Sequence, residues 1–252
     1  MILFCDFDGT LFRRDVEGDF ERNLEAIKRF RAAGNKFVLT TGRGLASVTR
    51  QFPEYKDYFD YLICDNGAQC FDEKGIHFEY AISEKDTQDI IEFVKQLRGG
   101  EMPYCIFYRD GGEFADAIGA QTKIRFWFTT DEEMLRIYEA LTQKFSESGI
   151  QFFTGHGAAL SLIGFVRNDE YNCLLDAVSA DAGKDTALQR IVDELPGESA
   201  VAVGDGNNDL PMLHAYDGYI MKNALPEYQV DFDDEHRIDS VAELIDRLLE
   251  KH

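Results

Sequence analysis

The chain has 252 residues, 44% of them hydrophobic, and a formal net charge of −21. That length suits one large or two smaller globular domains, while the acidic balance argues against nucleic acid or an anionic membrane as partner, because both need a basic face. No run approaches the roughly twenty apolar residues that span a bilayer, and the scattered cysteines (Cys5, Cys64, Cys70, Cys105, Cys173), with no CxxC spacing, indicate neither a disulfide framework nor a zinc site.

The apolar opening ILFC is too short for a signal peptide and runs straight into Asp6, so a soluble, cytoplasmic protein, monomer or homodimer, is expected. ILFC reads as a strand buried on both faces, as do KFVL before Thr40 and Thr41 and YLIC before Asp65 and Asn66. Between the first two, ERNLEAIKRFRAAG places Leu24, Ile27 and Phe30 on one helical face and stops at Gly34.

From about Ala81 to Asn172 the pattern changes. Helices SEKDTQDIIEFVKQL and DEEMLRIYEALTQKF alternate with more aromatic strands, PYCIFY, KIRFWFTT and AALSLIGFV, which suit an antiparallel sheet with one face exposed. Buried-type strands then resume: AVAV before Gly204 and Asp205 follows helix ALQRIVDEL, and GYIM before Lys222 and Asn223 precedes the terminal helix SVAELIDRLLE. The expected fold is a doubly wound, Rossmann-like α/β core with a parallel sheet, built from residues 1–80 and 173–252, with a smaller α+β domain, 81–172, inserted in it. Ligands of such sheets bind outside the strand C-termini, where Asp6, Thr41, Asn66 and Asp205 would converge.

Two of these strand ends carry clustered carboxylates: DFDGT, with Asp6 and Asp8, and GDGNND, with Asp205, Asn207, Asn208 and Asp209. Neighbouring carboxylate loops would raise each other's pKa unless a cation sat between them, and a hard divalent ion such as Mg²⁺ is the simplest partner. An EF-hand is excluded, since its sixth position must be glycine and is Leu11 counting from Asp6 and Leu210 counting from Asp205. Thr41 offers a hydroxyl and an N–H to an anion, and Lys184, in AGKDTAL at an expected helix start, offers positive charge reinforced by the helix dipole. Singly each has a bland reading, a turn residue or a surface lysine; the ordered set at element ends outweighs it.

DFDGT, TGR, GK and GDGNND, in this order and context, resemble the four motifs of the haloacid dehalogenase superfamily. The insertion between the second and third, with DNGA at Asp65 and MKNA at Met221, resembles the Cof-like phosphatase branch and its large α/β cap. The resemblance implies a Mg²⁺-dependent phosphatase of a small phosphorylated metabolite, in which Asp6 is a nucleophile that becomes an aspartyl-phosphate and Asp8 the acid and base. It implies that Thr41 and Lys184 share in catalysis, bonding the transferring phosphoryl group and neutralising its charge, that Thr41, Gly42, Arg43, Asn66 and Lys184 bind substrate, and that Asp6, Asp8 through its carbonyl, Asp205, Asn208 and Asp209 serve the metal. A DFD strand end would put Asp6 and Asp8 on one face, since strand residues two apart share one.

In that branch the inserted domain sets specificity, with Arg109, Lys123, Arg125, Trp127 and His156 as candidates, although core and solvated roles are commoner for such residues. A phosphomannomutase-type phosphotransferase shares the motifs and is the alternative; a non-catalytic binding module would not require these carboxylates.

Overall fold

The apolar runs become neighbouring strands of one sheet in a computed structural model, which describes residues 1–156, 159–160, 167–168 and 170–250. Strand β1 (Ile2–Asp6) is buried along its whole length, as its continuous apolar run requires. Helix α1 (Asp19–Ala32) follows, with Asp19 and Glu21 in its first turn and Arg29 and Arg31 in its last, both favourable to the helix dipole. Next come β2 (Lys36–Thr40), the short α2 (Leu45–Gln51), β3 (Tyr61–Cys64) and an antiparallel return through β4 (Gln69–Asp72) and β5 (Gly75–Glu79).

The inserted segment runs α3 (Glu84–Leu97), β6 (Tyr104–Arg109), β7 (Gly112–Phe114), β8 (Lys123–Phe128), α4 (Asp131–Lys144), β9 (Ile150–His156), the two-residue strands β10 (Ala159–Leu160) and β11 (Arg167–Asn168), and β12 (Cys173–Ser179). The chain then returns with α5 (Lys184–Glu194), β13 (Ala200–Gly204), α6 (Leu210–Ala215), β14 (Asp217–Met221), β15 (Arg237–Ile238) and α7 (Val241–Glu250).

Two units result: Met1–Arg43, Val48–His77 and Gly183–His252 in one, Gly44–Ser47 and Phe78–Ala182 in the other. The first holds a sheet ordered β15-β14-β13-β1-β2-β3-β4-β5, parallel from β15 to β3. On it, α7 buries Val241, Leu244, Ile245 and Leu248 at helical spacing and packs on α1, where the Ala242 N–H donates to buried Asn23 Oδ1 at 2.9 Å. Among the described residues no helix is long and apolar enough to cross a membrane.

The second unit has a five-stranded antiparallel sheet, β7-β6-β8-β12-β9. Alternation on β8 sends Ile124, Phe126 and Phe128 to a core shared with Ile90 and Val94 of α3 and Met134, Ile137 and Leu141 of α4. Ser83 and Thr130 cap these helices, accepting from the Asp86 and Glu133 N–H groups.

Here the structure departs from the sequence expectation in three ways. The other sheet face is not exposed throughout: Lys123, Trp127 and Asp176 are buried on it, with the Lys123 ammonium 3.9 Å from the Tyr108 ring centre and Arg125 bonded twice to Asp176 at 2.6 Å. The Arg125–Asp176 pair is thus matched within the sheet, while the buried Trp127 Nε1–H finds no hydrogen-bond partner among the described residues. The boundary expected at 172/173 also moves, because CLLDAVS forms β12 and pairs with both β8 and β9. An apolar run fixes a buried strand but not the sheet it joins. The strand expected over AALSLIGFV lies outside the described residues except Ala159–Leu160, and β4, β5, β7, β9, β11, β12 and β15 are additional to the expected set.

The boundary makes a test. Replacing residues 78–182 by a short Gly/Ser linker should give a soluble protein with one cooperative thermal transition, whereas replacing 81–172 strands the apolar β12 without its partners and should aggregate. Equal behaviour of the two deletions in light scattering and thermal melts would contradict the assignment of β12.

Candidate active site

The sheet order creates the site. From β1 the chain steps to β2 and β3 on one side and, after the insertion, returns to β13 and β14 on the other, so β1 and β13 flank the switch point where ligands bind at strand C-termini. Asp6 is the last residue of β1 and Asp205 the first after β13; Thr41 follows β2, and Asp65 and Asn66 follow β3.

The loop after β1 is wound tightly by backbone bonds from Gly9 to Phe12 (3.0 Å), Leu11 to Asp6 (3.2 Å) and Phe12 to Phe7 (2.8 Å), with Phe7 and Leu11 fully buried beneath it. Phe7 stacks on Phe12 and meets Phe20 edge-on, which anchors the loop to the apolar layer below. At the crest, Gly9 adopts φ +84°, and a Cβ there would lie 2.2 Å from Asp205 Oδ2, so only glycine fits. Thr10 Oγ1 donates to Asp205 Oδ1 at 2.9 Å, and Asn223 Nδ2 donates to the Gly9 carbonyl at 2.9 Å. The GT of DFDGT therefore positions the partner loop, and the asparagine of MKNA braces the crest.

Lys184 opens α5 and is buried, its Nζ lying 2.6 Å from Asp6 Oδ1 and 2.6 Å from Asp209 Oδ1. The other Asp209 oxygen accepts the N–H groups of Asp205 (3.1 Å) and Gly206 (2.9 Å), which ties the loop after β13 to the same ammonium. The turn after β3 supports α5 from behind. Asp65, Asn66 and Gly67 all have positive φ, and a Cβ on Gly67 would fall 2.1 Å from the Gly183 carbonyl, immediately before the lysine.

Asp6, Asp205 and Asp209 each present an oxygen within 4.8 Å of the others, around the single ammonium of Lys184. Burial, then the Asp209 charge, push the Asp6 carboxyl well above the usual carboxylate range against the pull of Lys184. Burial pushes Asp205 up to about 6, with Asp209 adding to it and the Thr10 bond opposing. Lys184 is lowered by burial but raised more by Asp209 and Asp6, and ends above its ordinary value. The cluster is short of positive charge, and its donors are all hard oxygens, which suits Mg²⁺.

The other expected residues lie as follows. Asp8 does not share a strand face with Asp6, because β1 stops at Asp6; half-exposed, it takes a two-pronged bond from Arg43, 2.6 Å from Nε and 2.5 Å from Nη2. Arg43 is further held by Gln51 Oε1 at 2.5 Å and sits over the Phe7 ring. It thus faces Asp8, where a phosphate-binding role was expected. Thr41 is buried, its N–H bonded to the Ile63 carbonyl and its hydroxyl accepting the Arg43 N–H at 3.1 Å. Gly42 backs onto the Asn66 side chain, and Asn208 is exposed in the turn 207–209.

In the second unit Arg109 pairs with Asp116, Arg125 with Asp176 and His156 with Asp131, while Lys123 and Trp127 are buried. Thr10, Gln51 and Asn223 were not singled out from the sequence. Thr10 and Asn223 stand inside quoted motifs, which was the available signal; nothing marks Gln51.

A model of the haloacid dehalogenase-like hydrolase family matches residues 3–233. Among solved structures, the chain is similar to BT1666 from Bacteroides thetaiotaomicron, a phosphatase of the haloalkanoate superfamily (22% identity, 99% of this chain and 94% of that one, TM-score 0.72). It is also similar to a HAD/COF-like hydrolase from Plasmodium vivax (19%, 100% and 96%, 0.72) and to the subclass IIB sugar phosphatase BT4131 (18%, 99% and 98%, 0.68). A search of curated proteins finds no match.

The electrostatics have a measurable consequence. With its folded pKa raised to about 6, Asp205 contributes stability that is fully present below the unfolded value near pH 4 and is lost as pH rises through about 6. In chelator, Asp205→Asn should therefore melt above the parent at pH 8, by up to about 2 kcal/mol of stability after allowance for partial exposure. The advantage should vanish at pH 4. A variant less stable than the parent at pH 8 would contradict this balance of charge.

Proposed function

The chain belongs to the haloacid dehalogenase-like hydrolases, and from that premise we propose that it is a Mg²⁺-dependent phosphatase of a small phosphorylated metabolite, a sugar or sugar-like phosphate foremost. The observation that carries this reading is Asp6, buried at the switch point with Oδ1 held by Lys184. A carboxylate so fixed has one oxygen engaged and the other available for in-line attack.

In the first step an Asp6 oxygen forms a bond to phosphorus as the ester P–O bond breaks, and the leaving oxygen takes a proton from Asp8. In the second, Asp8 takes a proton from water, the water oxygen bonds to phosphorus, and the bond to Asp6 breaks to release phosphate. Arg43 holds Asp8 between these steps, and Lys184 balances the charge of Asp6 and of the phosphoryl oxygens. Thr41, Gly42 and Asn66 would offer polar groups to the phosphate beside them.

Asp6, the Asp8 carbonyl and Asp205 would hold Mg²⁺, with Asn208 alongside. Asp209 acts at one remove, because its oxygens are engaged by Lys184 and two amides. When bound, the ion supplies the positive charge that keeps Asp6 and Asp205 ionised and screens the phosphoryl group.

Hydrolysis is favoured over a mutase reaction because Arg109 and Arg125 are each paired with an acid of their own unit, Asp116 and Asp176, and among the described residues form no cluster for a second phosphate. Similarity to the sugar phosphatase BT4131 along 99% of the chain supports the substrate class.

The test is phosphate release across a panel of phosphorylated metabolites with Mg²⁺, alongside isomerisation assays with a bisphosphate activator. Turnover of sugar phosphates, abolished by chelator and lowered on the order of 10³-fold or more in Asp6→Asn, is expected. Undiminished turnover by Asp6→Asn would overturn the mechanism, and activator-dependent isomerisation outpacing release would favour the mutase. Arg43→Ala should lower kcat about tenfold or more with little change in KM; a change confined to KM would return Arg43 to phosphate binding.

A further inference from the structure

Outside the active site, one group of side chains brings together a thiol, an imidazole and a carboxylate. Cys173 opens β12, His156 closes β9, and the two are direct partners across that antiparallel ladder. Asp131 begins α4, three residues after β8 ends beside Cys173, since Phe128 is the cross-strand partner of Cys173 on the other side. Three strands thus deliver these groups to one end of the sheet. His156 Nε2 lies 2.7 Å and Cys173 Sγ 3.4 Å from the same oxygen, Asp131 Oδ1, and all three ligand atoms fall within 4.8 Å of one another. Asn172 adds an oxygen, Oδ1, 3.1 Å from Cys173 Sγ.

A nucleophilic cysteine triad is the first alternative, and the connectivity excludes it. Such a triad needs the histidine between thiol and carboxylate so that it can take the thiol proton; here the carboxylate is the hub.

We propose that Asp131, His156 and Cys173 form a second metal site, selective for a borderline-soft divalent ion such as Zn²⁺ over Mg²⁺. The donor set decides the ion: thiolate and imidazole suit Zn²⁺, whereas the oxygen-only cluster at Asp6, Asp205 and Asp209 suits Mg²⁺. Tetrahedral bonds of about 2.0–2.3 Å place ligand atoms about 3.3–3.7 Å apart. The Asp131–His156 pair must open slightly to reach this, which two exposed side chains allow.

On binding, the Cys173 S–H bond breaks, the sulfur pair goes to the metal and the proton to buffer. His156 gives its Nε2 lone pair with its hydrogen on Nδ1, and Asp131 enters as the carboxylate. One thiolate and one carboxylate then neutralise the ion, leaving a fourth position for Asn172 or water.

The full-length protein would be titrated with Co²⁺ in excess Mg²⁺, following the thiolate-to-cobalt charge-transfer absorption, which oxygen ligands alone do not produce. One equivalent should generate the band, one equivalent of Zn²⁺ should remove it, and His156→Ala and Cys173→Ser should each abolish it. Cys173 is buried, so if its variant fails to fold, His156→Ala at its exposed position decides alone. No band in the parent protein, or a band that survives in a folded variant, would overturn the proposal.

Discussion

The ammonium of Lys184 between Asp6 and Asp209 is the contact on which the site depends. Burying three charged groups costs several kcal/mol each in desolvation, and only close geometry with further hydrogen bonds offsets it. The fold provides that geometry from several directions. The bend at Gly67 lets the α5 start come close, Asp209 binds two amides of its own loop, and the parallel pairing of β1 with β13 sets Asp6 beside that loop. Charge balance nevertheless remains incomplete, and burial with like charge raises Asp6 and Asp205 together. A phosphatase site gains from this imbalance, because a cation that relieves it also attracts a phosphate.

Much of the core was legible because it obeys a simple rule: a strand buried on both faces reads as an unbroken apolar run, and its C-terminal end reads as the first polar residue. ILFC, KFVL, YLIC, AVAV and GYIM follow it, so Asp6, Thr41, Asn66 and Asp205 fall at one sheet edge. Lys184 was legible as a helix start.

What escaped the sequence is partnership. Nothing local says that Arg43 grips Asp8, that Thr10 serves Asp205 or that Asn223 braces Gly9, since each joins residues 35, 195 and 214 positions apart. The assignment of β12 failed for the same reason: CLLDAVS announces burial but not which sheet supplies its neighbours. The same distance conceals the Cys173, His156 and Asp131 group, which no short spacing motif could reveal.

Asp6, as the proposed nucleophile, is expected to carry the phosphoryl group. A single turnover of substrate labelled in its phosphate, quenched rapidly in acid and digested, should leave label on the chain within the peptide Met1–Arg13, at Asp6. Its decay should match the appearance of free phosphate. Release of labelled phosphate at that rate with no label on the chain, or with label on another residue, would contradict a nucleophilic Asp6.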